Sequence, residues 1–343
     1  MTGTSPFPAH RAQLIVDESL RHLLRLIGPR GRFVYAHRRD AVDETTTGYN
    51  LLRHCGTLWF MLRAVNDLGL RPAAPDAAAM ALAIGYAGRK LVAPVWAPGL
   101  ALESKGKLKL GGAGLALAVL AEARVAVERG ILPAPELPLP LPDCIAALAD
   151  YTLSQLRPDG DFEHKRDLAT GGVEPFRSGY YTGEALLGLL LAGTDPARLV
   201  ESFALLTAQG YGIDVQSHWM AYAACEAVER GALPHGPGVN YITALGAAIC
   251  NDAAYRARRQ STPIACRSEA MTRMLLLDDH RPGLLPPGFA AQLARTASEN
   301  LALQLDWYRA GQFWKGDGDD KVQIDYIQHN ATSYLNWHLH LTA

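Results

Sequence analysis

Apolar residues recur at steps of three and four through most of this chain. Between Asn50 and Leu68, the positions Leu51, Cys55, Leu58, Leu62 and Val65 make one buried stripe, enough for a helix of about five turns. Strand-like alternation is scarce. The same reading predicts twelve helices, over 10–27, 49–68, 75–92, 111–129, 142–156, 179–192, 196–209, 214–230, 238–256, 264–278, 287–309 and 323–341. Gly28-Pro29, Gly69 with Pro72, and Gly130 with Pro133 mark helix ends. Asp76, Asp143, Asp195 and Asp214 stand where first turns begin, where a carboxylate suits the positive end of the helix dipole.

The helices alternate in character. Even-numbered ones such as Gly111–Val127 and Gly183–Ala192 are apolar nearly all round, so protein must surround them. The odd-numbered helix 10–27 instead carries a charged face of Arg11, Asp17, Glu18, Arg21 and Arg25. Three long outer-to-inner connections resemble one another. They start at Gly31, Gly160 and Gly311, and each reads Gly-x-Phe, then a polar loop, then a Tyr opening an apolar helix. A fourth, from Gly106, has hairpin-like alternation. The inner helices recur with a mean period of about 55 residues, the signature of an array of helix pairs. One closed barrel over 10–342 is expected, with 1–343 as a single domain.

This pattern resembles the (α/α)6 toroid used by many glycoside hydrolases, polysaccharide lyases, N-acylglucosamine epimerases and glucuronyl epimerases. Two segments sharpen the resemblance. Ser261–Ala270 looks like the Arg-x-Glu helix starts of such toroids, and Tyr180–Ala185 like their Tyr-x-Gly-Glu-Ala starts. The implied fold class is all-α, six inner and six outer helices, with short hairpins at the mouth. Loops 29–48, 93–110, 157–178 and 310–322 should then share one rim.

Composition narrows the class. The chain has 343 residues, 33 basic against 34 acidic side chains and 49% hydrophobic residues. That balance offers no basic face for nucleic acid and too few charges for a disordered chain. No run of about 18 uncharged apolar residues suggests a membrane span. No basic head precedes an apolar block at the N-terminus, so a cytoplasmic location is expected. The five cysteines are widely spaced with no Cys-x-x-Cys, which predicts reduced thiols and no metal centre built on Cys pairs.

If the inner helices open on one mouth, their first turns supply the chemistry. Those turns are polar: Tyr49, Asn50, Arg53 and His54; Tyr180, Tyr181 and Glu184; Asp214, Gln216, His218 and Trp219; Arg267 and Glu269; Gln323, Asp325, Tyr326, Gln328, His329 and Asn330. Polar groups inside apolar helices need either a mutual network or a ligand. Hydrogen-bonding groups beside aromatic rings suit a sugar.

Glycoside hydrolysis needs two carboxylates across the bond. Asp43, Glu44, Glu174, Glu184, Asp214, Glu269 and Asp325 are the candidates, each of which could instead cap a helix or pair with Arg53, Arg177 or Arg267. The catalytic set read from the sequence is Glu184, Glu269, Asp214 and His218. Tyr49, Arg53, His54, Tyr181, Trp219, Arg267, Asp325 and His329 are the substrate-binding set. His54, His218 and His329 lie about one turn into inner helices and offer a rival chemistry, proton removal and return at a sugar carbon.

Other strings are weaker. Asp317-Gly-Asp-Asp320 fits the terpene-cyclase string but suits a solvated turn. It fails as an EF-hand loop because no Glu closes it. No nucleophile elbow, Walker motif or dinucleotide fingerprint occurs. The expected function is a carbohydrate-active enzyme without metal or cofactor, a hydrolase before an epimerase or lyase, taking a small-molecule or oligosaccharide substrate. A non-catalytic glycan- or partner-binding barrel is the alternative from another class. No nucleic-acid or membrane partner is expected, and a homo-oligomer is compatible.

Overall fold

A computed structural model describes residues 7–43 and 48–343. Its helices are α1 (Ala9–Arg25), α2 (Leu51–Asp67), α3 (Ala74–Gly88), α4 (Leu110–Glu128), α5 (Leu141–Ser154), α6 (Tyr181–Leu191), α7 (Val200–Ala208), α8 (His218–Arg230), α9 (His235–Asn251), the single turn α10 (Ala254–Ala257), α11 (Ser261–His280), α12 (Pro287–Gln304) and α13 (Ile324–Thr342). The strands are β1 (Ala36–Arg38), β2 (Leu91–Val92), β3 (Ala101–Ser104), β4 (Lys107–Lys109), β5 (Lys165–Asp167), β6 (Tyr308–Arg309), β7 (Gln312–Gly316) and β8 (Asp319–Gln323).

The apolar helices form a ring. α2, α4, α6, α8, α11 and α13 each pack on the next, and α13 returns to α2. Outside them, α1, α3, α5, α9 and α12 lie against α13, α2, α4, α8 and α11, and α7 packs on α9. The inner and outer alternation read from the sequence is therefore the architecture. Small residues let inner helices touch through their backbones. A Cβ on Gly114 would stand 2.3 Å from the Glu184 carbonyl oxygen, and one on Gly188 would stand 2.2 Å from that of Gly114. α4 is long and apolar enough to cross a membrane by length and composition, which the run-length test on the sequence missed. Of that stretch, 78% is buried inside the ring, as a helix surrounded by protein must be.

The all-α expectation needs correction. Two four-stranded antiparallel sheets, ordered β1-β8-β7-β6 and β2-β3-β4-β5, join the loops in pairs. His37 lies opposite Val322, tying loop 29–48 to loop 310–322. Lys107 lies opposite Asp167, tying loop 93–110 to loop 157–178. The strands are two to five residues long. The β3–β4 hairpin is the one read from the alternation at Gly106, whereas the pairings that join the loops, β1 with β8 and β4 with β5, link segments remote in sequence. β8 runs directly into α13 and β4 into α4, so both sheets cap the N-terminal end of the inner ring. The Asp317–Asp320 string spans the β7–β8 turn and the first residues of β8, where Asp317 pairs with Arg259 at 2.9 Å and Asp319 with Lys315 at 2.8 Å.

The Gly-x-Phe repeat has one structural meaning. Gly311 has φ 84°, a left-handed conformation that favours glycine, and its Cβ would stand 2.2 Å from the Glu18 carbonyl oxygen. Gly31 and Gly160 share the conformation. The Phe that follows each, Phe33, Phe162 and Phe313, is fully buried.

Candidate active site

A cavity of about 320 Å³ opens at the N-terminal end of the ring, lined from α2, α4, α6, α8, α11 and α13. α8 begins four residues later than the periodicity suggested. Gln216 turns the chain with φ 53°, and Ser217 caps the helix by accepting from the Met220 N–H. His218 is thereby the first helical residue and points inward. It is buried, and its Nε2 has no hydrogen-bond partner. Burial, with His329 and Arg267 adding to it, holds its pKa well below the ordinary histidine value.

His329, on α13, faces it. The two rings meet edge to face, 5.0 Å between centroids and 84° between planes. His329 Nδ1 lies 2.7 Å from Glu269 Oε1. Tyr222 donates to Glu269 Oε2 at 3.3 Å, and Asn336 donates to the Tyr222 hydroxyl at 2.7 Å. Burial opposes charge on His329, but Cys266 and Glu269 outweigh it and raise its pKa well above the ordinary value. Burial pushes the Glu269 carboxyl up and His329 pulls it back. The proton of this pair belongs on His329, because Tyr222 gives the carboxylate a second donor.

Glu184 enters from the first turn of α6. Its Oε2 is buried without a partner, and burial raises its pKa to about 8 against the opposing pull of His329. The space for that carboxyl comes from α4: a Cβ on Gly111 would stand 1.9 Å from Glu184 Oε2 and 2.5 Å from Tyr181 Cδ1. On the opposite wall Arg53 pairs with Asp325 at 3.0 Å and donates to the Tyr35 hydroxyl at 2.8 Å. Gln323 donates to the other Asp325 oxygen at 2.6 Å. Tyr181 and Trp219 add apolar walls.

Arg53, Tyr181, Glu184, His218, Trp219, Asp325 and His329 thus line one cavity. Other residues expected there lie elsewhere. Glu269 stands behind His329 with no exposed surface, because its position on α11 faces Tyr222 rather than the lumen. Asp214 is exposed in the turn before α8, and it lines an adjoining cavity with Arg267. Arg267 is held there by Gln216 Oε1 at 2.8 Å. That cavity shares Tyr180, Thr262 and Cys266 with the central one. His54 is fully buried and turned outward, its Nε2 2.9 Å from the Ala83 carbonyl on α3. Tyr49 serves it from behind, 2.7 Å from Nδ1, and accepts from the Phe33 N–H. Glu174 bridges Lys107 and Lys165 on the sheet surface. Glu44 lies outside the described residues.

The sequence reading missed Thr262 and Cys266 as wall residues. They stand one turn apart on α11, so that both face the lumen. Their character as small, weakly polar residues hid them. A cavity of about 460 Å³ at the opposite end of the ring holds Arg63, Glu226, Glu229 and Arg273. Arg273 bonds Glu226 at 3.2 Å and also Glu229, a network that ties α8 to α11.

Chemically, the central cavity offers an imidazole with a free nitrogen, a second imidazole backed by a carboxylate, one unpartnered carboxyl and a guanidinium at the wall. No family model and no curated protein matches this chain. Among solved structures it is similar to a D-mannose isomerase, at TM-score 0.68 and 12% identity, over 100% of both chains. Two structures titled as possible members of the GH105 family align less well. One, from Salmonella enterica subsp. enterica serovar Paratyphi A, has TM-score 0.46 and 10% identity over 100% of this chain and 97% of its own. The other, from Klebsiella pneumoniae subsp. pneumoniae, has TM-score 0.44 and 11% identity over 99% and 96%. At such identity the first likeness establishes a shared fold, the toroid of six helical hairpins.

Proposed function

We propose that this protein is a sugar isomerase or epimerase that works by proton transfer on a small free sugar. One observation carries the reading: His218 and His329 face each other at 5.0 Å in the cavity, one with a free Nε2 and the other held by Glu269. A facing base and acid is what enolisation beside a carbonyl requires. In an aldose-to-ketose step, His218 takes the proton from C2 while His329 protonates the carbonyl oxygen at C1. The resulting enediol loses its O2 proton to His329, and His218 returns its proton to C1. Atoms and charges balance without a further reactant. Arg53 and Glu184 are placed to hold hydroxyl groups of the sugar. The fold shared with a D-mannose isomerase agrees with this reading.

Glycoside hydrolysis is the second reading, favoured by Glu184, whose raised pKa suits a proton donor. Its weakness is the partner: Asp325 is bound by Arg53 and Gln323, and Glu269 by His329 and Tyr222. The test is incubation with a panel of aldoses, ketoses and N-acylated sugars in D2O, read by NMR. Ketose or epimer formation with deuterium entering at C1 or C2 is expected. Cleavage of aryl glycosides with no carbon-bound exchange in any sugar would overturn the isomerase in favour of the hydrolase.

A further inference from the structure

We propose that His218, Cys266, Glu269 and His329 form a transition-metal site that takes one thiophilic divalent cation, zinc foremost. Each offers one ligand atom, and all four atoms lie within 4.8 Å of one another. Two imidazole nitrogens, a thiolate and a carboxylate oxygen are a donor set zinc favours, and they come from α8, α11 and α13. Metal–ligand bonds of about 2.0–2.3 Å set tetrahedral neighbours roughly 3.3–3.8 Å apart, so the widest pair closes by about 1 Å while the 2.7 Å hydrogen bond between His329 and Glu269 gives way to the metal.

A second observation points the same way. The His218 Nε2 is buried and has no hydrogen-bond partner, a costly arrangement for a ring nitrogen unless a proton or metal meets it. The outer support is also built. Tyr222 holds the far oxygen of Glu269, and Asn336 holds Tyr222, the kind of shell that orients metal ligands. Metal on these imidazoles excludes their use as base and acid, so zinc also inhibits the enzyme. That last consequence alone rests on the isomerase reading.

Cobalt(II) titration of chelator-treated full-length protein tests the site without any activity. One equivalent should give visible bands of tetrahedral intensity and a thiolate-to-cobalt charge-transfer band. Zinc should displace cobalt and raise the melting temperature. Cys266→Ser should abolish the charge-transfer band and weaken binding at least about tenfold, whereas Cys250→Ser, on α9, should keep both. His218→Gln provides an independent loss of affinity if Cys266→Ser does not fold. Weak octahedral cobalt bands, or a charge-transfer band that survives Cys266→Ser, would overturn the site. Cobalt affinity unchanged in a folded His218→Gln variant would overturn it too. Where turnover is found, zinc inhibition at the concentration of direct binding supports the shared use of the imidazoles. Turnover with the metal bound refutes that shared use and leaves the site itself intact.

Discussion

The His218 ring on α8 stands edge-on to the His329 ring on α13, 5.0 Å apart, although α11 separates the two helices in the ring order. α11 supplies Glu269 behind one of them. His218→Asn and His329→Asn should each lower isomerisation by at least about a hundredfold, the scale of lost acid–base catalysis. Circular dichroism should stay unchanged. Full turnover in either folded variant would remove that residue from the proton path.

Glu269 touches His329 and Tyr222, and acts through them. Glu269→Gln keeps the shape but withdraws the charge that, together with Cys266, raises the His329 pKa. We expect kcat to fall with KM nearly unchanged. Glu269→Ala, which leaves the imidazolium and the Tyr222 O–H without their acceptor, should cost about 3 kcal/mol in chemical denaturation. Equal stability of Ala and wild type would mean the pair contributes nothing to the fold.

Glu184 sets a stability slope. Its folded pKa of about 8 exceeds the ordinary glutamate value of 4.5. Below the lower value both states hold the proton, and the favourable contribution is complete. As pH rises between them, the unfolded chain ionises while the folded one keeps its proton, so stability falls, by at most about 5 kcal/mol. Above pH 8 the loss is complete. Denaturation curves from pH 5 to pH 9, the window about those two values, should show this decline in wild type and a flatter line in Glu184→Gln. Parallel profiles would place the carboxyl in water.

Gly111→Ala should destabilise although alanine is the better helix former by about 1 kcal/mol. The added Cβ would collide with Glu184 Oε2 and the Tyr181 ring, and overpacking of this kind costs about 1–3 kcal/mol. The pocket should suffer with it, seen as a raised KM. A gain in melting temperature would show that α4 stands further from α6.

Adding a Cβ at Gly311 should likewise destabilise, because Gly311→Ala strains a backbone at φ 84° and meets the Glu18 carbonyl. A loss of about 1–3 kcal/mol is expected, measured by urea denaturation. An unchanged midpoint would mean the loop relaxes freely.

The sequence by itself determined the six inner helices of the ring and the six outer helices that alternate with them. It also marked the loops of Gly31, Gly160 and Gly311, because helical periodicity, burial on all sides and left-handed turns are local properties. Short hairpins were legible too, as at Gly106, but only the tertiary structure decided how they join into sheets, since Ala36 and Gln323, or Lys107 and Asp167, pair across segments remote in the chain. It also decided the site. His54 and His218 occupy similar places near helix starts, yet one turns to the Ala83 carbonyl on α3 and the other to the lumen. Periodicity fixes how side chains are spaced around a helix. Which of those directions faces the lumen is set by the rotation of each helix against its neighbours, through contacts such as that of Gly114 with Glu184.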